Sequence, residues 1–486
     1  MSVKHTTDFA PLIDGVASGR LERIAGETVH LLRRMVPPFF LIGHTGVPAA
    51  WGDSEGHPVS ALAAGGQIAD WTRFIPASSE AESEEQRWLA AALPLTAALA
   101  VASQEIQASQ RIQHTLPAPL FPANITHPGG MSGALCEAVR EGQVTRTEQL
   151  LLGYYGTGTD YRAYLTNVYH SIIEHYTGDA HSLIFTHRSS QVLDMAGWGN
   201  KLPAFIHWLA PLLATKQSDA PFMAEVTAFF GDPAHELKPL RTRLAPANPA
   251  AAGAQLRQTI LQGSLGETCT AVYTALMNGA QSHAVGSVIV LAAARRFLAT
   301  PESDAEARMR TAHVLLVASA ARTAVNQLQD VELLPLLFIA AAAVNGLREE
   351  EQIEAPQAAA ISGRITTAGA SLAGGILAPV MLRSLERQLE SGDEPAAQAT
   401  IRRYLQLGHP AHGLVALLAL VACRGDATSD AGHTLLLAQA AAEEYLALPP
   451  ALLGSEGEAL LLVGVQAASR RPVGSSILEA VQRALA

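Results

Sequence analysis

The chain has 486 residues, of which 49% are hydrophobic, 5% aromatic and 16% charged, and its formal net charge is −11. This amount of apolar material is enough for a large core, and the abundance of alanine and leucine favours helices over sheets. The acidic balance, with no run of lysines and arginines, argues against a nucleic-acid partner.

The cysteines and the first residues indicate the cellular setting. Cys136, Cys269 and Cys423 form no CxxC pair, so neither a disulfide framework nor a thiolate zinc site is predicted. The N-terminal sequence MSVKHTTDFAPLIDG lacks the apolar core of a signal peptide, and the uncharged apolar stretches are too short or too interrupted for a comfortable membrane span. We therefore expect a cytoplasmic protein that does not cross a membrane.

The first region, residues 1–122, is predicted to consist of helices broken by loops rich in glycine and proline. A helix is expected over Ser18–Met35, followed by a loop over Pro37–Pro58. A long helix with an acidic start comes next, and Pro94 is expected to kink or interrupt it. The proline-rich stretch LPAPLFPANITHPGG then marks a boundary with the second region, residues 123–486.

In the second region, helical segments alternate with short polar loops, and no run of alternating β-branched residues with hairpin turns appears. We therefore predict an all-α fold, in which alanine- and leucine-rich helices form one large body around a central cavity. The glycine-rich stretch ISGRITTAGASLAGGILAP is expected to be a loop that leaves space for this cavity.

Four histidines stand at the start of apolar, alanine-rich helices, namely His127, His181, His283 and His433. Capping residues precede three of these, namely Asp179, Ser282 and Asp430. The partial positive charge of a helix N-terminus favours neutral imidazole, which is the form that binds metals. We predict that the four histidines are metal ligands if their helix ends converge, although any one histidine is more often structural.

His187 is a reserve ligand, because its position six residues after His181 puts it on another face of a straight helix. Other chemistry has less support. No dinucleotide fingerprint, phosphate loop, HExxH or GxSxG motif occurs, so neither a flavin nor a nucleotide cofactor is expected. A di-iron bundle needs Glu-x-x-His on two helices, and only Glu27–His30 fits.

Five segments, taken in order, resemble the questin oxidase family. They are HPGGMSGALCEAVREGQ, LLLGYYGTGTDYRAYLTNVYHSII, AHSLIFTHRSSQVL followed by LPAFIHWLAPLL, HAVGSVIVLAAARRFL, and DAGHTLLLAQAAAEEY. The resemblance extends over the chain from His127 onward, and each motif is short. It implies an all-helical oxygenase that holds one non-haem iron by several histidines and opens rings of anthraquinones and related polyketides.

The chain departs from this family in two places. Leu436 stands where the family has a lysine that can be carbamylated and act as a further ligand, and no lysine follows Lys238. The second histidine of HSLIFTH is displaced by one residue from the family spacing. Three alternatives follow: an all-histidine shell, a carboxylate in place of the lysine, or a metal site and activity that are altered or lost.

The leading hypothesis is a metal-dependent oxygenase that uses Fe(II) and O2 to cleave or hydroxylate an aromatic, polyketide-like small molecule. Imidazole ligands suit iron, zinc, copper and nickel alike, so the residues are consistent with iron without requiring it. The alternative is a non-catalytic helical scaffold that binds a small molecule or a protein. A third possibility is a metal-free enzyme in which a histidine acts as general base. A homo-oligomer is left open.

Overall fold

The computed structural model describes residues 8–50, 56–76, 83–108, 115–178, 180–244, 253–347, 374–469 and 475–486. Within these ranges the chain forms α-helices and short 3₁₀ helices in a single body, with no β-strand, which confirms the all-α prediction. The helices are α1 (Ala10–Ser18), α2 (Leu21–Arg33), α3 (Pro38–Ala50), α4 (His57–Trp71), α5 (Ser83–Ala108), α6 (Gly130–Arg140), α7 (Val144–Gly156), α8 (Tyr161–Glu174), α9 (His181–Ala196), α10 (Leu202–Leu213), α11 (Met223–Gly231), α12 (Ala254–Gln262), α13 (Leu265–Met277), α14 (Ser282–Ala299), α15 (Ala305–Leu328), α16 (Pro335–Gly346), α17 (Gly374–Ser391), α18 (Glu394–Gln406), α19 (Ala411–Ala422), α20 (His433–Ala447), α21 (Glu458–Ser469) and α22 (Ser476–Leu485).

The predicted loop over Pro37–Pro58 is wrong for the part that forms α3. Pro38 is tolerated because it occupies the first helical position, where a backbone N–H has no helical partner. Gly43 has a packing role, since a Cβ there would lie 2.7 Å from the Cα of Ala196. The glycines that suggested a loop instead allow α3 to approach α9 closely.

The other sequence predictions for loops and breaks have mixed outcomes. The long helix α5 runs without interruption through Pro94. The proline-rich connection is largely irregular, and its helix begins at Gly130 rather than at His127. Most of ISGRITTAGASLAGGILAP lies outside the described residues, as does the capping residue Asp179.

Four helices in the middle of the body position the site. α4 packs against α9 and α20, and α15 packs against the same two helices. α4 belongs to the first predicted region and the other three helices belong to the second. The helices of residues 1–122 thus contribute directly to the same core, and the boundary near residue 122 stays a prediction.

Two described helical segments, Arg87–Gln107 and Ser282–Ala299, are long and apolar enough to cross a membrane by length and composition. In each segment 72% of the most apolar stretch is buried inside the protein. The core helices of a soluble protein have the same properties, which makes these segments weak evidence for a membrane span.

Candidate metal centre

Four histidine side chains form a closed ring at the centre of the four-helix arrangement. His57 and His181 have ring centroids 5.2 Å apart, and His181 and His313 are separated by the same distance. The centroids of His313 and His433 lie 4.9 Å apart, and those of His433 and His57 also lie 4.9 Å apart. We refer to these four side chains as the histidine ring.

Three members of the ring share one local backbone geometry. His57, His181 and His433 are the first residues of α4, α9 and α20. The residue before each has a left-handed backbone conformation: φ is 86° at Gly56, 65° at Ala180 and 82° at Gly432. His313 differs, because it lies in the interior of α15.

The left-handed backbone conformation explains why two of these three positions are occupied by glycine. A Cβ on Gly56 would lie 2.4 Å from Cδ2 of Phe185, so both its backbone conformation and its contacts require glycine. A Cβ on Gly432 would meet the Ala61 Cβ at 3.3 Å in addition to the conformational strain. The third position is Ala180, where a non-glycine residue adopts the conformation at a free-energy cost.

Hydrogen bonds determine which nitrogen of His433 faces the ring. The Nδ1–H of His433 donates to the carbonyl oxygen of Asp430, which cannot act as a donor. In the neutral imidazole, Nε2 of His433 therefore carries the lone pair and accepts a hydrogen bond of 2.8 Å from the Nε2–H of His313. The Asp430 carboxylate accepts hydrogen bonds from the backbone N–H of Gly432 and Thr434 and so fixes this turn.

The ring environment favours neutral imidazoles. Burial, together with the neighbouring His433 and His181, lowers the pKa of His57 to about 3. Burial and the other three ring members lower the pKa of His313 to about 3 as well. At neutral pH both side chains therefore have a lone pair available for a metal.

The ring encloses a void of about 10 Å³, which is close to the space needed for one water molecule or one ion. On each helix the residue three positions after the histidine also lines this void, and these residues are Ser60, Ile184, Leu316 and Leu436. Phe185 completes the lining. The void is thus bounded by four imidazoles and by a floor that is apolar except for Ser60.

The donor set fits a transition metal. Ligand nitrogens at about 2.1 Å from a metal lie roughly 3.0–3.4 Å apart when they are neighbours. The Nε2 atoms of His313 and His433 are 2.8 Å apart in a hydrogen bond, and a metal would have to replace the proton between them. One nitrogen each from His57, His181 and His313 lie within 4.8 Å of one another. These three imidazoles could share one ion, and His433, which lies outside this set of three but contacts His313, would join them only after a further shift of its side chain.

A second set of polar groups lies further along α9, α15 and α20, and we call Arg188, Arg322, Glu443 and Glu444 the charged layer. Arg322 donates to Glu444 through Nε at 2.6 Å and through Nη2 at 2.9 Å, and the hydroxyl of Ser319 donates to the same carboxylate at 2.6 Å. Arg188 lies 3.7 Å from Glu443. The charged layer therefore contains two cations paired with two anions.

Of the four histidines predicted from the sequence to be metal ligands, two lie in the histidine ring and two do not. His181 and His433 lie in the histidine ring, each at the start of its helix as predicted. His127 precedes α6 and accepts a hydrogen bond from Gly129 N–H at its Nδ1, and His283 lies beside Arg322, whose Nη1 is 3.5 Å from its Nδ1. Neither of these two lines the void.

The reserve ligand His187 also lies outside the ring. It is buried next to the charged layer, and its Nε2 has no hydrogen-bond partner among the residues that the structure describes. Burial lowers the pKa of His187 to about 3, and the adjacent Arg188 acts in the same direction.

Sequence reasoning missed His57 and His313. The signal for His57 was present, since Gly56–His57 opens an alanine-rich helix as Gly432–His433 does, but the surrounding glycines and prolines suggested a loop. His313 carries no comparable signal, because nothing distinguishes it from other polar residues in the interior of a long helix. Only the packing of α15 against α9 and α20 brings it to the ring.

Comparisons with known proteins found no match among family models, curated proteins or solved structures. The resemblance to the questin oxidase family therefore rests on the short motifs quoted above.

Proposed function

We propose that this protein is a metal-dependent oxygenase whose metal is held by His57, His181, His313 and His433. The observation that carries the proposal is the closed ring of four imidazoles around a void the size of one ion. Buried histidines that only stabilise a core do not need to direct nitrogen atoms at a common point. A shared ligand gives a physical reason for their convergence.

The ligand set narrows the choice of metal without fixing it. Four imidazoles suit iron, copper, nickel and zinc, and they do not suit magnesium or calcium, which prefer oxygen ligands. Fe(II) and O2 enter the proposal through the resemblance to the questin oxidase family, and so does the aromatic, polyketide-like substrate. The metal would supply the chemistry that activates O2.

The surroundings of the ring support one of the two ligand sets that the sequence left open, beside the third alternative of an altered or lost metal site. Leu436, at the position of the family lysine, lines the void with an apolar side chain. Within the described residues, the lining of the void includes no aspartate or glutamate. We therefore favour an all-histidine shell over a shell with a carboxylate replacing the lysine.

The protein residues around the site have distinct parts in this proposal. The four imidazoles bind the ion, and the carbonyl of Asp430 orients His433 by accepting its Nδ1–H. Ile184, Leu316 and Leu436 exclude water from one side of the ion. A void of about 10 Å³ does not hold an aromatic ring, so the organic substrate would bind outside it.

The test is metal analysis of the full-length protein after anaerobic loading with Fe(II) and removal of free metal. The wild-type protein should retain a single iron, and His313→Ala and His57→Ala should each lose it while keeping the helical circular dichroism. His127→Ala and His283→Ala are matched controls that should retain iron, because these histidines do not line the void.

Retention of iron by the His313→Ala and His57→Ala variants would contradict the assigned ligands. If no transition metal binds the wild-type protein, the metal-dependent proposal fails and the scaffold hypothesis becomes the better one. Oxygen uptake with a panel of aromatic polyketides then tests catalysis. Uptake that persists in chelator would instead favour the metal-free mechanism with a histidine base.

A further inference from the structure

Two arginines away from the histidine ring share a single carboxylate. Arg257 on α12 and Arg295 on α14 both contact Oε2 of Glu456, and Nη2 of Arg295 lies 3.4 Å from this oxygen. Within the described residues, the structure gives neither arginine a second ion-pair partner. The two arginines, which we call the arginine pair, therefore carry two positive charges against one negative charge.

The excess positive charge is partly removed from water. The exposed fraction of the side chain is 15% for Arg257, 32% for Arg295 and 26% for Glu456. Burial, followed by the charge of Arg295, lowers the pKa of Arg257 to about 10, and burial lowers the pKa of Arg295 as well. The two guanidiniums therefore repel each other in a poorly solvated place, and a further anion would stabilise both of them.

The arginine pair also has more hydrogen-bond donors than Glu456 uses. Each guanidinium has five N–H donors in a planar fork that matches the oxygens of a carboxylate or a phosphate. The structure shows one nitrogen of each fork at Glu456, and both nitrogens contact the same oxygen. Nε of Arg295 is buried and has no hydrogen-bond partner within the described residues. Because both side chains are partly exposed, an oxyanion in solvent can approach the pair without opening the core.

The charge of the rest of the protein makes the excess at this cluster a local one. The chain has a formal net charge of −11, so its overall field disfavours anions and any anion binding must come from local groups. A second arginine pairing, close by in sequence, has no excess, since Nε of Arg402 lies 2.5 Å from Oε1 of Glu458 in a pair of one cation and one anion. The balanced pair supplies the comparison for an experiment.

We propose that the arginine pair binds an oxyanion, namely a carboxylate or phosphate group of a small molecule, which accepts hydrogen bonds from both guanidiniums. The negative charge of this group would balance the charge that Glu456 leaves uncompensated. The site lies apart from the void in the histidine ring, whose lining includes neither the arginine pair nor Glu456. The inference therefore does not depend on the proposed metal or on oxygenase activity.

The experiment is isothermal titration calorimetry of the full-length protein with inorganic phosphate and, separately, with acetate, at constant ionic strength. At least one of these anions should bind saturably, and the tighter of the two assigns a phosphate or a carboxylate as the natural group. Arg257→Gln and Arg295→Gln should each weaken the binding about 10-fold, since a charge-assisted hydrogen bond is lost. Glu456→Gln should strengthen it several-fold, because a competing negative charge is removed while the side-chain size is kept.

Arg402→Gln is the matched control, because it removes the same charge from a pair that is already balanced, and it should leave the anion affinity unchanged. Absence of saturable binding of both anions to the wild-type protein would overturn the proposal. Equal weakening by Arg402→Gln would attribute the binding to overall charge and overturn the site. Unchanged or weaker binding in Glu456→Gln would also contradict the proposal, and this outcome does not depend on the folding of the arginine variants.

Discussion

The histidine ring takes one side chain from each of α4, α9, α15 and α20, the charged layer takes its side chains from the last three of these helices, and the two differ in how charge is balanced. In the charged layer, Arg322 and Glu444 share two hydrogen bonds and Ser319 fills a further position on the carboxylate. In the ring, four imidazoles surround a void whose described lining contains no aspartate or glutamate. The charged layer therefore balances its own charges, whereas the metal that we propose in the ring would bring a charge that no described lining residue balances.

The two layers are also separated along the helix axes. Members of the charged layer follow the ring histidine of their helix by seven to eleven residues, which corresponds to roughly 10–17 Å along a helix. On α4, Gln67 follows His57 in the same sense and accepts a hydrogen bond from Gln439 of α20. All four helices thus run from the ring toward the charged layer. We infer that the charged layer fixes the relative positions of the helices, and that these positions in turn hold the four imidazoles of the ring close together.

The largest effect on stability is expected from breaking the charged layer. Glu444→Leu leaves the buried Arg322 without its partner and should lower the free energy of unfolding by about 3–5 kcal/mol, measured by urea denaturation. The double variant Arg322→Met/Glu444→Leu should recover most of this loss, because no unpaired charge remains buried. A double variant as unstable as the single one would show that the pair itself, rather than charge balance, stabilises the fold.

The next effect is stabilisation by metal, which should depend on the ring alone. At a free metal concentration 100 times the dissociation constant, binding adds about 2.7 kcal/mol to the free energy of unfolding. Chelator should remove this increment from the wild-type protein, and His313→Ala should lack it. Arg322→Met/Glu444→Leu should keep it. Loss of the increment in this double variant would mean that the two layers are not independent.

The free energy of unfolding should depend on pH in part through protonation of His187, which lies beside the charged layer. The unfolded chain takes up a proton at this position near the ordinary pKa of 6.5, whereas burial holds the pKa in the folded protein at about 3. Stability should therefore fall as the pH drops through this window, and His187 should contribute about 2 kcal/mol of the fall between pH 7 and pH 5. The groups that face His187 are Arg188, Glu443 and Arg322, and Glu443 alone opposes the shift.

The matched variant for this measurement is His187→Gln, which removes one of the titrating groups and should reduce the loss between pH 7 and pH 5 by about 2 kcal/mol, leaving the part that belongs to His57 and His313, whose pKa values are also lowered to about 3. Urea denaturation of both proteins in the absence of metal gives the comparison. An equal slope in wild type and variant would assign the acid sensitivity to other groups.

The smallest effect on stability is expected at the left-handed backbone positions that precede the ring histidines. Ala180 has φ of 65°, while its counterparts before His57 and His433 are glycines. Ala180→Gly should raise the free energy of unfolding by up to about 1 kcal/mol, because glycine adopts this conformation without strain. Gly432→Ala should act in the opposite direction. Thermal unfolding of the two variants checks the sign, and destabilisation by Ala180→Gly would contradict the assigned strain.

The extent to which the site was predictable differs from residue to residue. His181 and His433 were predicted because a helix start is a local property that the adjacent residues determine. The same property pointed to His283, but α14 begins without a left-handed residue, since Gln281 before it is extended. His127 was misplaced relative to its helix because two glycines, of which Gly130 has a left-handed conformation, delay the helix start.

The sequence by itself determined the all-α class, many of the helix positions, and the place of His181 and His433 at helix starts. Metal binding by these histidines stays a prediction. The fold class and the helix positions follow from composition, periodicity and capping, which act between residues close in the chain. Only the tertiary structure decided which histidines meet, since His57, His181, His313 and His433 are brought together by contacts among α4, α9, α15 and α20. Such contacts depend on how whole helices pack. Helix packing is determined by side chains throughout the core, and the residues next to any one histidine do not reveal it.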